Sequence, residues 1–226
     1  MSHRELIDSL IKDGYLKTPR IIDAFKKIDR ADFVPDDLKH EAYVNAPLPI
    51  GHGQTISQPL TVAFMLELLA PQEGDKVLDV GAGSGWQTAI LAQIVGKKGK
   101  VFAIEILEKL AEFGKNNLEK YKFLSSGRVE FIRKDASFGL PENAPYERII
   151  AAAAGNEIPP AWKEQLKING RLVAPVRNSI FSLIKKAEDQ IEETEYPGFA
   201  FVPLLSESEK GQEWKKYFQK SDEQNH

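Results

Sequence analysis

Two stretches of this chain combine residue types and spacings that suit chemistry. DVGAGSGWQ, residues 79–87, places Gly81, Gly83 and Gly85 between an apolar run and a helical one. Glycines at that spacing let the backbone turn tightly and approach a ligand closely. The turn from strand to helix is also where an open α/β sheet binds its ligand. Glu105 follows twenty residues after Gly85 at the end of the next apolar run, where a carboxylate can accept both hydroxyls of a ribose. The second stretch, GHGQTISQPL (51–60), gathers two glycines, two glutamines, Thr55 and Ser57 ahead of Pro59, with no helical or strand period. A loop of this kind either fills space or holds something polar.

The glycine pattern discriminates between cofactors. A dinucleotide site reads G-x-G-x-x-G, its last glycine allowing close helix–strand packing beside a pyrophosphate. Here G-A-G-S-G-W puts Trp86 in the sixth place. That argues against NAD and for a nucleoside ligand such as S-adenosyl-L-methionine. Asp79, just ahead of the glycines, suits the methionine amino group, and Asp135, after the third strand, falls where an acid can border the adenine. The competing reading is that these acids cap turns.

Composition narrows the classes further. The 226 residues include no cysteine, which removes disulfides, thiolate metal sites and a cysteine nucleophile together. Four scattered histidines suggest no metal cluster. A net charge of −3 without a long basic run lacks the footprint of a nucleic-acid binder. No apolar run reaches membrane-spanning length, and the polar start MSHRELIDSL has no signal-peptide core. A cytoplasmic monomer with no nucleic-acid or membrane partner is expected.

The elements that must position these residues follow from periodicity. Leu6, Ile7, Leu10 and Ile11 predict a first helix; Thr18-Pro19 reads as a cap and first turn of a second, with Ile21, Ile22, Phe25 and Ile28 on one face. Residues 30–60 read mostly as loop, and a helix through Val62, Met65 and Leu69 ends at Pro71. From Lys76 onward short apolar runs (KVLDV, KVFAIE, RVEFI, ERIIAAAA, GRLVAPV) alternate with helical ones (WQTAILAQIV, 107–121, 160–166). This is the signature of a parallel sheet covered on both faces. IFSLIKKAE and GFAFVPLL have no room for a crossover helix between them, so they are expected to pair antiparallel. The expected fold is a doubly wound, mostly parallel α/β sheet with an antiparallel C-terminal pair and a helical N-terminal extension. Its parts are a cap and substrate loop at 1–60, a cofactor-binding core at 61–205 and a charged tail at 206–226. Trp86, Trp162 and Trp214 are expected to serve packing.

PLPIGHG followed by GQTISQP, then VLDVGAGSGWQTAILA, APYERIIAAAA, IPPAWKEQLKINGRLVAPV and a late FVPL, resemble the protein-L-isoaspartate (D-aspartate) O-methyltransferase family over about residues 20 to 205. The glycine loop is common to many methyltransferases, whereas GQTIS at this distance upstream is far more specific. The resemblance implies a Rossmann-like class I fold and a repair enzyme that methylates the free carboxylate of isoaspartyl residues in damaged proteins, using S-adenosyl-L-methionine and no metal. It implies Ser57 as the active-site group and Thr55, Ile56, Gln58 and Pro59 as substrate contacts. Asp79, Gly81, Gly83, Ser84, Glu105, Ile106, Asp135 and Ala136 become the cofactor contacts.

The chemistry agrees. A carboxylate is already ionised at neutral pH and needs no general base to attack a sulfonium methyl. Alignment and dehydration of the anion are the enzyme's task, and neutral donors such as Ser57 and Thr55 suit it. The alternatives are a methyltransferase for a small carboxylic acid or RNA, an NAD-linked oxidoreductase, a His52–Ser57 hydrolase and a cofactor-binding regulator without turnover. Three departures from the family pattern stand out. Lys134-Asp135-Ala136 replaces Gly-Asp-Gly, Leu60 replaces an aromatic or histidine, and Arg177-Asn178 replaces a glycine turn.

Overall fold

Ser2 begins the folded chain by capping helix α1 (His3–Lys12). Its hydroxyl accepts the Glu5 N–H while the Glu5 carboxylate accepts the Ser2 N–H, so two free helix donors are satisfied reciprocally. Thr18 stands at the N-cap of α2 (Pro19–Lys27), but its hydroxyl donates to Glu67 at 2.7 Å instead of accepting from the helix. Two short 3-10 turns follow, at Arg30–Phe33 and Asp36–Glu41. The structure, a computed structural model, describes residues 1–207. Trp214 and all but the first two residues of the expected charged tail lie outside the described residues.

The stretch read from sequence as an irregular loop is in part a hairpin. Strand β1 (Leu48–Gly51) pairs antiparallel with β2 (Gln54–Ile56). Gly51, His52 and Gly53 all take positive φ, at 89°, 52° and 63°, a conformation that favours glycine and permits the reversal. A three-residue strand is too short to display a period, which is why the alternation was invisible. Helix α3 (Pro59–Leu69) leaves the hairpin directly.

The core then runs β3 (Lys76–Val80), α4 (Trp86–Val95), β4 (Lys100–Glu105), α5 (Glu108–Glu119), β5 (Val129–Arg133), β6 (Tyr146–Ala151), α6 (Pro160–Glu164), β7 (Leu166–Val176), β8 (Ser179–Ala187) and β9 (Gln190–Pro197). These strands form one sheet in the order β5-β4-β3-β6-β7-β8-β9, the first five parallel and the last two joined antiparallel. The expected doubly wound sheet is therefore present. Its antiparallel partner differs from the expected one: QIEETEYP pairs with β8, not GFAFVPLL. β9 is an edge strand exposed along most of its length, so it carries no apolar signal. GFAFVPLL is apolar for another reason: it crosses the sheet's end, bridging Ala154 through Val202 O and Leu204 N, both at 2.8 Å.

Successive strand residues point to opposite faces, and here each face has its own core. Val77, Val101, Ala103, Phe131, Ile150 and Val173 pack under α1–α5, with buried Trp86. Leu78, Val80, Ile104, Ile149, Ala151 and Leu172 pack on the other face, around Trp162 and Leu140. That second face is covered by the short α6 and the 136–145 connection. Among the described residues no helix is long and apolar enough to cross a membrane. At the β7–β8 turn, Arg177 adopts φ 53°, so a non-glycine residue takes the left-handed conformation where a glycine was expected. The chain leaves β5 and returns on the far side of β3, so the strand order switches between β3 and β6. Ligands of open α/β sheets bind outside the carboxyl ends of the strands at such a point.

Candidate active site

β3 ends at Val80, and the chain turns through Gly81, Gly83 and Gly85, each at positive φ (74°, 52° and 86°). Side chains would not fit there easily. A Cβ on Gly83 would lie 3.3 Å from Ile50 Cδ1, and one on Gly85 would lie 3.1 Å from the Gly114 carbonyl of α5. Asn117, also on α5, donates to the Ser84 carbonyl at 3.0 Å and holds the loop from behind. The loop's front faces Glu105. The Gly83 N–H donates to Glu105 Oε2 at 3.0 Å, and the Leu107 N–H donates to Oε1 at 2.9 Å. Burial pushes the Glu105 carboxyl upward, and these backbone bonds pull it back.

Glu105 lines a cleft at the carboxyl ends of β3, β4 and β6. Its other walls mix apolar residues (Ile104, Leu110, Ala136, Ala153 and Leu205) with the polar side chains of Gln54, Thr55 and Lys134, and Gly81, Gly83 and Ile106 lie beside them. A carboxylate has about four acceptor sites and Glu105 uses two or three on the backbone. A slot with apolar walls for a flat base, polar groups beside them and one acid that retains acceptor capacity for a ribose diol suits a nucleoside. Among the described residues no group of three His, Cys, Asp or Glu is placed to hold a metal.

The cleft continues into two neighbouring spaces, and Thr55 and Ala152 line all three. One is a crevice under Ser57, walled by Ile56, Gly83, Ser84, Trp86 and Gln87. The other is an open cleft bounded by Ser57, Gln58, Thr61 and Phe201. It reaches the surface at Thr55 and Ala200, both exposed. Ser57 has its carbonyl bonded by Arg30 at 3.1 Å, while its hydroxyl has no hydrogen-bond partner among the described residues. Gln58 turns its amide to the Asn45 carbonyl at 3.0 Å, and Asn45 Oδ1 accepts the Leu60 N–H, so this part of the loop is braced. Pro59 is buried at the start of α3. His52 is at the hairpin tip, separated from Ser57 by β2, and among the described residues no base hydrogen-bonds the Ser57 hydroxyl.

Two acids expected at the cofactor already accept hydrogen bonds from protein groups. Asp79 is fully buried below the glycine loop and lines neither cleft. Its oxygens accept from Gln87 Nε2 at 2.8 Å and Thr88 Oγ1 at 2.6 Å. Burial pushes its pKa up to about 6 against the lowering effect of those two bonds. Gln87, not Asp79, reaches the crevice. Asp135 accepts from the Ser137 N–H (2.8 Å), the Ser206 hydroxyl (2.9 Å) and the Glu207 N–H (2.7 Å). Burial raises its pKa, but these donors outweigh it and leave it below the usual range. Its neighbours Lys134 and Ala136 line the cleft in its place. Gln87, Ala152 and the Val202–Leu205 wall lie in stretches that the sequence singled out (DVGAGSGWQ, APYERIIAAAA and FVPL), but their place at the cleft depends on packing that residue type alone does not announce.

The profile of the protein-L-isoaspartate(D-aspartate) O-methyltransferase family matches residues 1–209. The chain belongs to this family. A protein-L-isoaspartate O-methyltransferase of Methanopyrus kandleri is 42% identical over 210 residues, covering 91% of this chain and 92% of its own. One from Ignicoccus hospitalis is 43% identical, covering 90% of this chain and 97% of its own. Among solved structures, a protein-L-isoaspartate O-methyltransferase superposes with a TM-score of 0.82 at 27% identity, over 96% of this chain and 70% of that one. A Plasmodium falciparum family member bound to S-adenosyl-L-homocysteine shares the fold, with a TM-score of 0.82 at 24% identity, over 90% and 98% of the two chains.

Proposed function

We infer that this chain transfers a methyl group from S-adenosyl-L-methionine to the free carboxylate of L-isoaspartyl residues in damaged proteins and peptides. Family membership supports the activity. The observation that carries the site is the junction at Thr55 and Ala152, where the Glu105 cleft opens into the cleft of Ser57. Glu105 takes the ribose, Gly81 and Gly83 let the backbone approach, and Ile106 and Ala136 flank the base. Bound S-adenosyl-L-methionine supplies an electrophilic methyl on sulfonium. The substrate carboxylate forms the new O–C bond as the S–C bond breaks, and no proton moves. Ser57 and Thr55 hold the anion with neutral donors while Ile56 and Pro59 shape the wall. The second cleft opens to solvent at Thr55 and Ala200, as a peptide substrate needs and a small carboxylic acid does not. Residues 1–60 act as cap and substrate loop on a 61–205 core.

Two peptides identical except for isoaspartate or aspartate test this reading. Isoaspartate carries an extra main-chain methylene and leaves the carboxylate on the α-carbon, so a site that fixes both distinguishes the isomers. Methylation confined to the isoaspartyl peptide is the expected result; equal rates on both would overturn the repair assignment.

A further inference from the structure

Arg30 is wholly buried, yet no carboxylate pairs with it among the described residues. Its guanidinium bonds only to main-chain carbonyls. Nη1 donates to Ala42 at 2.7 Å and Val44 at 3.3 Å, and Nη2 donates to Ala46 at 3.0 Å and Ser57 at 3.1 Å. The flanking acids are engaged elsewhere. Asp29 accepts from the Tyr43 hydroxyl and the Ala31 N–H, and Asp32 accepts from the Tyr121 hydroxyl. Nε has no acceptor, and the guanidinium carbon lies 5.3 Å from the centroid of Trp86, which walls the crevice under Ser57.

Burying a cation without a counter-ion is costly. Burial pulls the Arg30 pKa down to about 10, which still leaves it charged near neutral pH. A planar fork can also do what an ammonium cannot: bond four carbonyls in fixed directions. Here it ties the 42–46 segment to the residue expected to hold the substrate. In a poorly hydrated interior its charge acts over a longer range than in water.

Resting on the function proposed above, we propose that Arg30 is a positioning residue for methyl transfer, fixing the Ser57 loop and supplying the positive potential that favours a carboxylate there. Being fully buried, it acts through the Ser57 peptide and not by touching substrate. The neutral clamp thus has a charge behind it, where no ion pair can compete with the reaction.

The test uses the full chain with S-adenosyl-L-homocysteine bound, and two peptides: one isoaspartyl, one with that carboxylate replaced by its amide. Wild type is expected to bind the carboxylate peptide at least tenfold more tightly than the amide. Arg30→Met should bring that ratio close to one while leaving S-adenosyl-L-homocysteine affinity within about twofold. Arg30→Lys keeps the charge but loses the fork, so it should keep the ratio and lower kcat by roughly tenfold or more. A ratio near one in wild type, a ratio unchanged in Arg30→Met, or a wild-type kcat in Arg30→Lys each overturns the proposal. If Arg30→Met does not fold, the wild-type ratio and the lysine variant decide. Failure of wild type to methylate the isoaspartyl peptide overturns the function itself, a separate outcome.

Discussion

The Gly83 N–H donates to Glu105 Oε2 at 3.0 Å, joining the glycine loop to the end of the neighbouring strand. One carboxylate thus shapes the loop and lines the cleft proposed for the cofactor. Two consequences follow from removing it: the ribose it is proposed to hold loses an acceptor, and the Gly83 and Leu107 amides lose theirs.

Glu105→Ala is therefore expected to weaken S-adenosyl-L-homocysteine binding by about 1.5–3 kcal/mol, the scale of a hydrogen bond to a charged group. The midpoint of thermal unfolding should fall as well, because two backbone donors are stranded. Calorimetric titration and a thermal scan check both. Unchanged affinity would remove Glu105 from the cofactor site.

Ser57→Ala separates clamp from scaffold. The Ser57 hydroxyl has no protein partner among the described residues, so its loss should leave thermal stability and cofactor affinity nearly intact. Loss of a hydrogen bond to the substrate carboxylate should lower kcat/KM by roughly ten- to two-hundred-fold. A covalent nucleophile would lose several orders of magnitude more. Single-turnover rates on the folded variant decide: near wild-type rates would leave the serine without a role in positioning, and abolition with a trappable methyl-serine in wild type would replace the clamp by covalent catalysis.

Asp79 makes a prediction about pH. Its folded pKa of about 6 lies above the ordinary carboxyl value, so the folded state holds the proton more tightly than the unfolded chain does. That contribution to stability is fully present below about pH 4 and is lost as pH rises through about 6. The loss is at most about 3 kcal/mol for a shift of this size. Asp79→Asn cannot titrate, so the stability difference, wild type minus variant, should become less favourable between pH 4 and pH 7.5. Urea unfolding of the ligand-free proteins at both values measures it, and parallel pH curves would show that Asp79 is not perturbed in this way.

Much of the architecture was legible because its causes are local. Apolar runs of five or six residues announce buried parallel strands, and Pro19 announces a helix start. The same holds for the glycines at 81, 83 and 85: positive φ is a property of a single residue, so the residue type reveals it. β9 was hidden because an exposed edge strand such as QIEETEYP needs no apolar face, while GFAFVPLL borrowed the look of a strand by walling the cleft. Asp79 and Asp135 had the right positions in the chain. Which donors their carboxylates meet is decided by side chains that sequence order does not bring together, Gln87 and Thr88 for one and Ser206 and the Glu207 amide for the other.

Taken alone, the residue order determined the parallel strands of the sheet, the glycine loop, the acid at Glu105 and the resemblance carried by GQTIS. Each depends on contacts within one strand, one turn or one βαβ unit. The tertiary structure alone decided that Thr55 and Ala152 line the same clefts, and that Arg30 reaches across to the Ser57 carbonyl. Those contacts join segments far apart in the chain. They exist because burying both faces of the sheet forces the N-terminal helices and the hairpin against the carboxyl ends of its strands.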